Sequence, residues 1–115
     1  MNSDSRACIA YIVASLSGIN SSFVYDFSKA KYKSISGYVQ SNDVSIYDYD
    51  RSCYISGTPT NLYDYGNSAY IQLNINGGQF SGYDYDTGDY FSGNMTGNSV
   101  SIYDYGSSSY YNYSI

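Results

Sequence analysis

The chain reads as an all-β protein: an antiparallel up-and-down meander of about eleven short strands, closed into a barrel or strongly coiled. Three observations predict this. Tyrosine supplies 18 of the 115 residues, and the strand and turn formers Tyr, Val, Ile, Ser, Asn and Gly dominate, while Glu is absent and Leu occurs only at 16, 62 and 73. An aromatic-Asp-aromatic motif recurs five times. Finally, aliphatic residues alternate with polar or aromatic ones around each copy, the period of a strand with two different faces.

The repeats are Tyr25-Asp26-Phe27, Tyr47-Asp48-Tyr49, Tyr63-Asp64-Tyr65, Tyr83-Asp84-Tyr85 and Tyr103-Asp104-Tyr105, spaced by 22, 16, 20 and 20 residues. In every copy a tyrosine follows after four more residues: Tyr32, Tyr54, Tyr70, Tyr90 and Tyr110. The intervening tetrapeptides SKAK, DRSC, GNSA, DTGD and GSSS are mostly turn formers, so each unit predicts a four-residue hairpin loop closed by a cross-strand aromatic pair. The return connections turn at 17–19, near 41–43, at Thr58-Pro59, at Asn76-Gly77 and at Thr96-Gly97. This register pairs Tyr70 with Tyr83, Leu73 with Phe80 and Phe91 with Ile102.

The predicted strands are 8–16, 20–27, 32–40, 44–50, 53–57, 61–65, 69–75, 78–85, 90–95, 98–105 and 109–115, in one domain spanning 1–115 with residues 1–7 as a flexible tail. One face carries Val24, Ile35, Val39, Val44, Ile46, Ile55, Leu62, Ile71, Leu73, Ile75, Phe80, Phe91, Met95, Val100, Ile102 and Ile115. The other carries the motif tyrosines among Ser, Asn and Gln. A sheet this long must cover its aliphatic side. The aromatic rows are displaced by two residues from one unit to the next, and a stagger of constant sign favours barrel closure; a two-layer sandwich is the alternative.

Residues 8–16, CIAYIVASL, resemble the apolar core of a signal peptide, but the segment before them holds one Arg and one Asp, a poor basic region, so the stretch is read as the first strand. No run approaches the roughly 18 apolar residues of a membrane helix, and no membrane insertion is expected. The compartment stays open, with the cell surface or the extracellular space favoured.

The net charge is -5, and all five cations, Arg6, Lys29, Lys31, Lys33 and Arg51, lie in the first 51 residues. Without a basic footprint the chain is not expected to bind nucleic acid. Cys8 and Cys53 form no metal or redox motif and read as two buried thiols, a single disulfide being the other reading. There is no His for a triad or proton relay, no nucleophile elbow and no phosphate loop, so the chain is not expected to be an enzyme.

Each motif Asp shares the aliphatic side and should line one rim of the core, its carboxylate accepting from loop amides or a nearby tyrosine hydroxyl. The alternative use is a cation site for calcium, without any other cofactor; its densest oxygen cluster is Asp84, Asp86 and Asp89. The tyrosine face is the candidate binding surface: Tyr47, Tyr49, Tyr63, Tyr65, Tyr83, Tyr85, Tyr103 and Tyr105 combine flat apolar rings with wet hydroxyls. The reading that follows is a non-catalytic binding or structural module for carbohydrate or protein. Self-assembly into homo-oligomers through the edge strands 8–16 and 109–115, and a barrel carrying a small ligand, are the alternatives.

The run SGNMTGNSVSIYDYGSSSYYNYSI resembles short bacterial proteins built from Tyr-Asp-Tyr hairpin repeats. The likeness covers residues 20–115 and implies no function, cofactor or site.

Overall fold

A helix threads the middle of a closed ring of ten antiparallel strands. The structure, a computed structural model, describes residues 1–115. The order is α1 (Ser3–Leu16), β1 (Phe23–Asp26), β2 (Lys31–Gln40), β3 (Asp43–Asp48), β4 (Cys53–Thr58), β5 (Asn61–Asp64), β6 (Ala69–Asn76), β7 (Gln79–Asp84), β8 (Asp89–Thr96), β9 (Ser99–Asp104) and β10 (Ser109–Ser114). Each strand pairs with its sequence neighbours, and β1 closes the ring against β10. The expected meander and barrel are therefore observed, with ten strands instead of eleven.

The missing strand is α1. Residues 8–16 are helical, and 1–7 form its cap and first turns in place of a flexible tail. Asn2 caps the N-terminus by accepting from the Ser5 N–H at 2.8 Å. Gly18, at φ 95°, ends the helix: its N–H donates to the Ser15 carbonyl and that of Ile19 to the Ala14 carbonyl. The turn expected at 17–19 is thus a helix cap. Every residue from Ser5 to Ala14 is buried, so no polar stripe marks the helix, as expected for one enclosed on all sides. Ten strands enclose a lumen wider than wall side chains fill alone, and α1 occupies it.

Helix and wall share a single core. Cys8, Ile9, Ala10 and Ile12 of α1 are fully buried with Val24, Ile35, Val44, Ile46, Ile55, Leu62 and Ile102 of the wall. The face assignment holds for most of the aliphatic set; Val39, Met95 and Ile115 are partly covered, and Ile75, near a strand end, is exposed. Tyr113 also points inward and is buried.

The register differs from expectation by two residues. In β6–β7 Ile75 faces Phe80, Leu73 faces Gly82 and Tyr83 faces Gln72; in β8–β9 Phe91 faces Asp104 and Gly93 faces Ile102. Asn76 and Thr96 are the last strand residues, and the glycine after each takes the first loop position, with φ 64° at Gly77 and 59° at Gly97. An even shift preserves which face each side chain occupies, so the pattern of the two faces survived the error. The aromatic pair near each loop is likewise the first motif ring, as in Tyr63 opposite Tyr70, and the second ring begins the loop.

The stagger keeps one sign around the ring. Where β2 meets β3, Tyr47 faces Ser36 instead of Tyr32; Tyr63 faces Ser56, Tyr83 faces Gln72 and Tyr103 faces Ser92 in the same sense. This shear tilts the strands and allows closure. Inward glycines relieve crowding on the inner surface: a Cβ at Gly82 would collide with the Phe91 ring, and one at Gly93 with the Phe80 ring.

Candidate functional site

Two rings of side chains gather at the Tyr-Asp-Tyr end of the barrel, one inside and one outside. The inner ring consists of the five motif carboxylates, Asp26, Asp48, Asp64, Asp84 and Asp104, all buried. Each folds back onto its own loop, where Oδ1 accepts the N–H two residues on: Ser28, Asp50, Gly66, Asp86 and Gly106 respectively. The turn-locking role read from the spacing is what the loops display.

The ring also surrounds the N-terminal end of α1, whose partial positive charge favours carboxylates nearby. Ser5 Oγ donates to Asp64 at 2.9 Å, and Arg6 Nη1 to Asp104 at 3.1 Å. The Met1 ammonium lies 3.3 Å from Asp104 and 3.2 Å from Asp89. Arg51 bridges two repeats, with Nε on Asp48 at 2.6 Å and Nη1 on Asp64 at 3.0 Å. Lys33, itself buried, meets Asp48 at 2.6 Å, Asp4 at 2.8 Å and Asp50 at 3.2 Å.

Burial by itself would raise the Asp48 pKa, but the bonds from Lys33 and Arg51 outweigh it and hold the carboxyl below its ordinary range. Asp84 goes the other way. Its Oδ2 is buried without a partner, and burial pushes its pKa up. The Cys8 thiol, 3.6 Å from Asp48, is also pushed up by burial, so it stays protonated. Cys8 and Cys53 are both free thiols.

The three carboxylates expected to form a cation site, Asp84, Asp86 and Asp89, have different surroundings. Asp84 is buried and bound to its loop, Asp86 is exposed, and Asp89 turns to the Met1 ammonium. The carboxylates whose oxygens converge are instead Asp4, Asp48 and Asp50, and the Lys33 ammonium contacts all three. Lys33 was readable as an inward residue, two positions before Ile35 on the same strand. Its role as counter-ion became visible only with the helix and the neighbouring loop in place.

The outer ring is aromatic. In each repeat the first motif ring stands edge-on to the second and to the cross-strand tyrosine: Tyr25 with Phe27 and Tyr32, Tyr47 with Tyr49 and Tyr54, Tyr63 with Tyr65 and Tyr70, Tyr83 with Tyr85 and Tyr90, Tyr103 with Tyr105 and Tyr110. Centroids lie 4.7–4.9 Å apart in all five triads. The central rings are half-buried and the flanking ones exposed, from 47% at Tyr70 to 69% at Tyr110. All eight tyrosines singled out in the sequence therefore stand on the outside of the barrel, four as triad centres and four as flanking rings.

Two structural premises of the alternative functions are absent. The lumen that would hold a small ligand is filled by α1. The segments expected as free edges are a helix and a strand, β10, paired on both sides. Comparison of the chain with protein-family models, with curated proteins and with solved structures finds no match.

Proposed function

We propose that this chain is a non-catalytic recognition module that presents its outer wall to a carbohydrate or protein partner. The observation that carries this reading is the array of exposed rings: ten flanking aromatics, two per triad, held at one end of a closed barrel by half-buried central rings. Tyrosine covers area with few rotatable bonds, so a partner that stacks on these rings immobilises little. Serine, asparagine and glutamine beside them, at Ser45, Ser56, Gln72, Asn74 and Asn94, offer donors and acceptors in reach of solvent. Asp84 keeps one unpartnered oxygen, but all five motif carboxylates are held by their own loops, and Asp48, Asp64 and Asp104 also by ion pairs. A non-catalytic role is consistent with that engagement.

The test is a glycan array and an affinity capture run in parallel with wild type and a variant carrying Tyr65→Ser, Tyr85→Ser and Tyr105→Ser. These exposed rings are at the loops, so the variant should retain the barrel, checked by its amide spectrum. Partners captured by wild type and lost by the variant support the reading. An identical set of partners for both proteins, or none for wild type, overturns it.

A further inference from the structure

We propose that the outer surface of β6–β9 is a binding groove for an uncharged oligosaccharide; this deepens the recognition reading above and rests on it. Two adjoining depressions, of about 620 and 350 Å³, share Asn74, Ser81, Ser92 and Tyr105. Both volumes lie in the range of small-ligand sites.

The groove follows from strand length and side-chain size. β6 and β8 run eight residues each, well past the tyrosine row. Ser81 on β7 and Ser92 on β8 face each other across the floor, where a larger side chain would fill the space. Asn74 on β6 and Asn94 on β8 also line it, each opposite a serine of the next strand. Tyr105 and Tyr110 close the end. Rungs of main-chain pairing hold β6 to β9 in register, so the floor is organised before any ligand arrives.

The chemistry selects the ligand class. Every residue lining the groove is uncharged, in a protein of net charge -5. An anionic polymer finds no counter-charge there and meets an overall negative field, and a cationic one finds no carboxylate in the groove. Amides and hydroxyls each donate and accept, which matches a polyol, while an exposed tyrosine face suits the C–H face of a pyranose ring. Hydroxyls on one side and C–H groups on the other are the two surfaces that such a ligand presents.

The experiment is a titration of the isotopically labelled full chain, followed by amide shifts, with uncharged oligomers of glucose, mannose, galactose and N-acetylglucosamine, and with oligogalacturonate as the charged comparison. The expected result is saturable shifts confined to β6–β9 for at least one neutral series and none for oligogalacturonate. Asn74→Ala and Tyr105→Ala should each weaken that binding about tenfold with the rest of the spectrum unchanged. Shifts that fall on β1–β5 instead, with Tyr49→Ala weakening the binding and Tyr105→Ala not, overturn the groove and leave outer-wall recognition standing. No shift with any neutral oligomer also overturns the groove, and the wall reading then stands or falls on its own capture experiment.

Discussion

The Lys33 ammonium lies 2.6 Å from the Asp48 carboxylate, and both groups are buried in the barrel. At this level of the wall the inward position of β2 carries a cation, and Val24 faces it across the β1–β2 pair. Desolvating both charges is expensive, and removing one partner is worse than removing both, because the other charge is left buried without its counter-ion. Lys33→Met should lower stability by about 3 kcal/mol, because Asp48 keeps Arg51 but loses its closest ammonium. Chemical denaturation at neutral pH measures this. A loss below about 1 kcal/mol would show that the pair contributes no more than a surface bridge.

Asp48 and Asp84 should respond to pH with opposite signs. The Asp48 pKa is depressed in the fold, so its contribution is fully present above the ordinary aspartate value of about 3.9 and disappears as pH falls through the folded value. The Asp84 pKa is raised by burial, so the folded chain holds that proton more tightly than the unfolded chain; ionised Asp84 is a liability at neutral pH, and the liability vanishes on acidification. Asp84→Asn keeps the oxygen that accepts the Asp86 N–H and removes the buried charge, so it should raise stability at pH 7. The gain should shrink towards zero near pH 4 and below. Asp48→Asn should instead destabilise at pH 7 by about 3 kcal/mol. Thermal unfolding of the two variants across pH 3–7 decides the signs.

The centre of each aromatic triad should matter more than its flanks. Tyr63 makes edge-to-face contacts with both Tyr65 and Tyr70, whereas Tyr65 contacts Tyr63 and is exposed. Each such pair contributes roughly 0.5–1.5 kcal/mol beyond area burial. Tyr63→Ala should cost about 3 kcal/mol and Tyr65→Ala about 1. Equal costs in denaturation would mean the triads are a surface arrangement with no structural hub.

The helix in the lumen should behave as core, with no tolerance in either direction. Ala10 and Ile12 are both fully buried. Ile12→Ala should cost about 3 kcal/mol through the cavity it leaves. Ala10→Leu should cost about 2, because the ring of strands cannot widen without breaking its pairing. A neutral or stabilising Ala10→Leu would place the helix outside a tightly packed lumen.

Local chemistry was enough to reveal most of the wall. A period of two assigns faces without any knowledge of partners, and a recurring Asp before a turn-forming tetrapeptide implies a carboxylate that holds its own loop. Hence the inward aliphatic set, the buried motif aspartates and the outward tyrosines were all readable from residue order. The register was less so: Asn76-Gly77-Gly78 permits two turn positions, and an offset of two residues leaves every side chain on the same face.

Residues 3–16 depended on the rest of the molecule. A continuous apolar run has no period to separate strand from helix, and its β-branched Ile9, Ile12 and Val13 favour a strand in isolation. Hints of a helix were present in three of the chain's five alanines, Ala7, Ala10 and Ala14, and in Asn2 and Gly18 at the caps. What decided it was a closed ring of ten strands with a lumen to fill. A strand inside would have left its own N–H and C=O groups unpaired among apolar side chains, whereas a helix satisfies them internally. The same enclosure brought Arg6, Lys33 and Arg51 to the aspartate ring, because buried carboxylates draw in the cations they need, while the depressions on the outer face of β6–β9 are lined by uncharged residues alone.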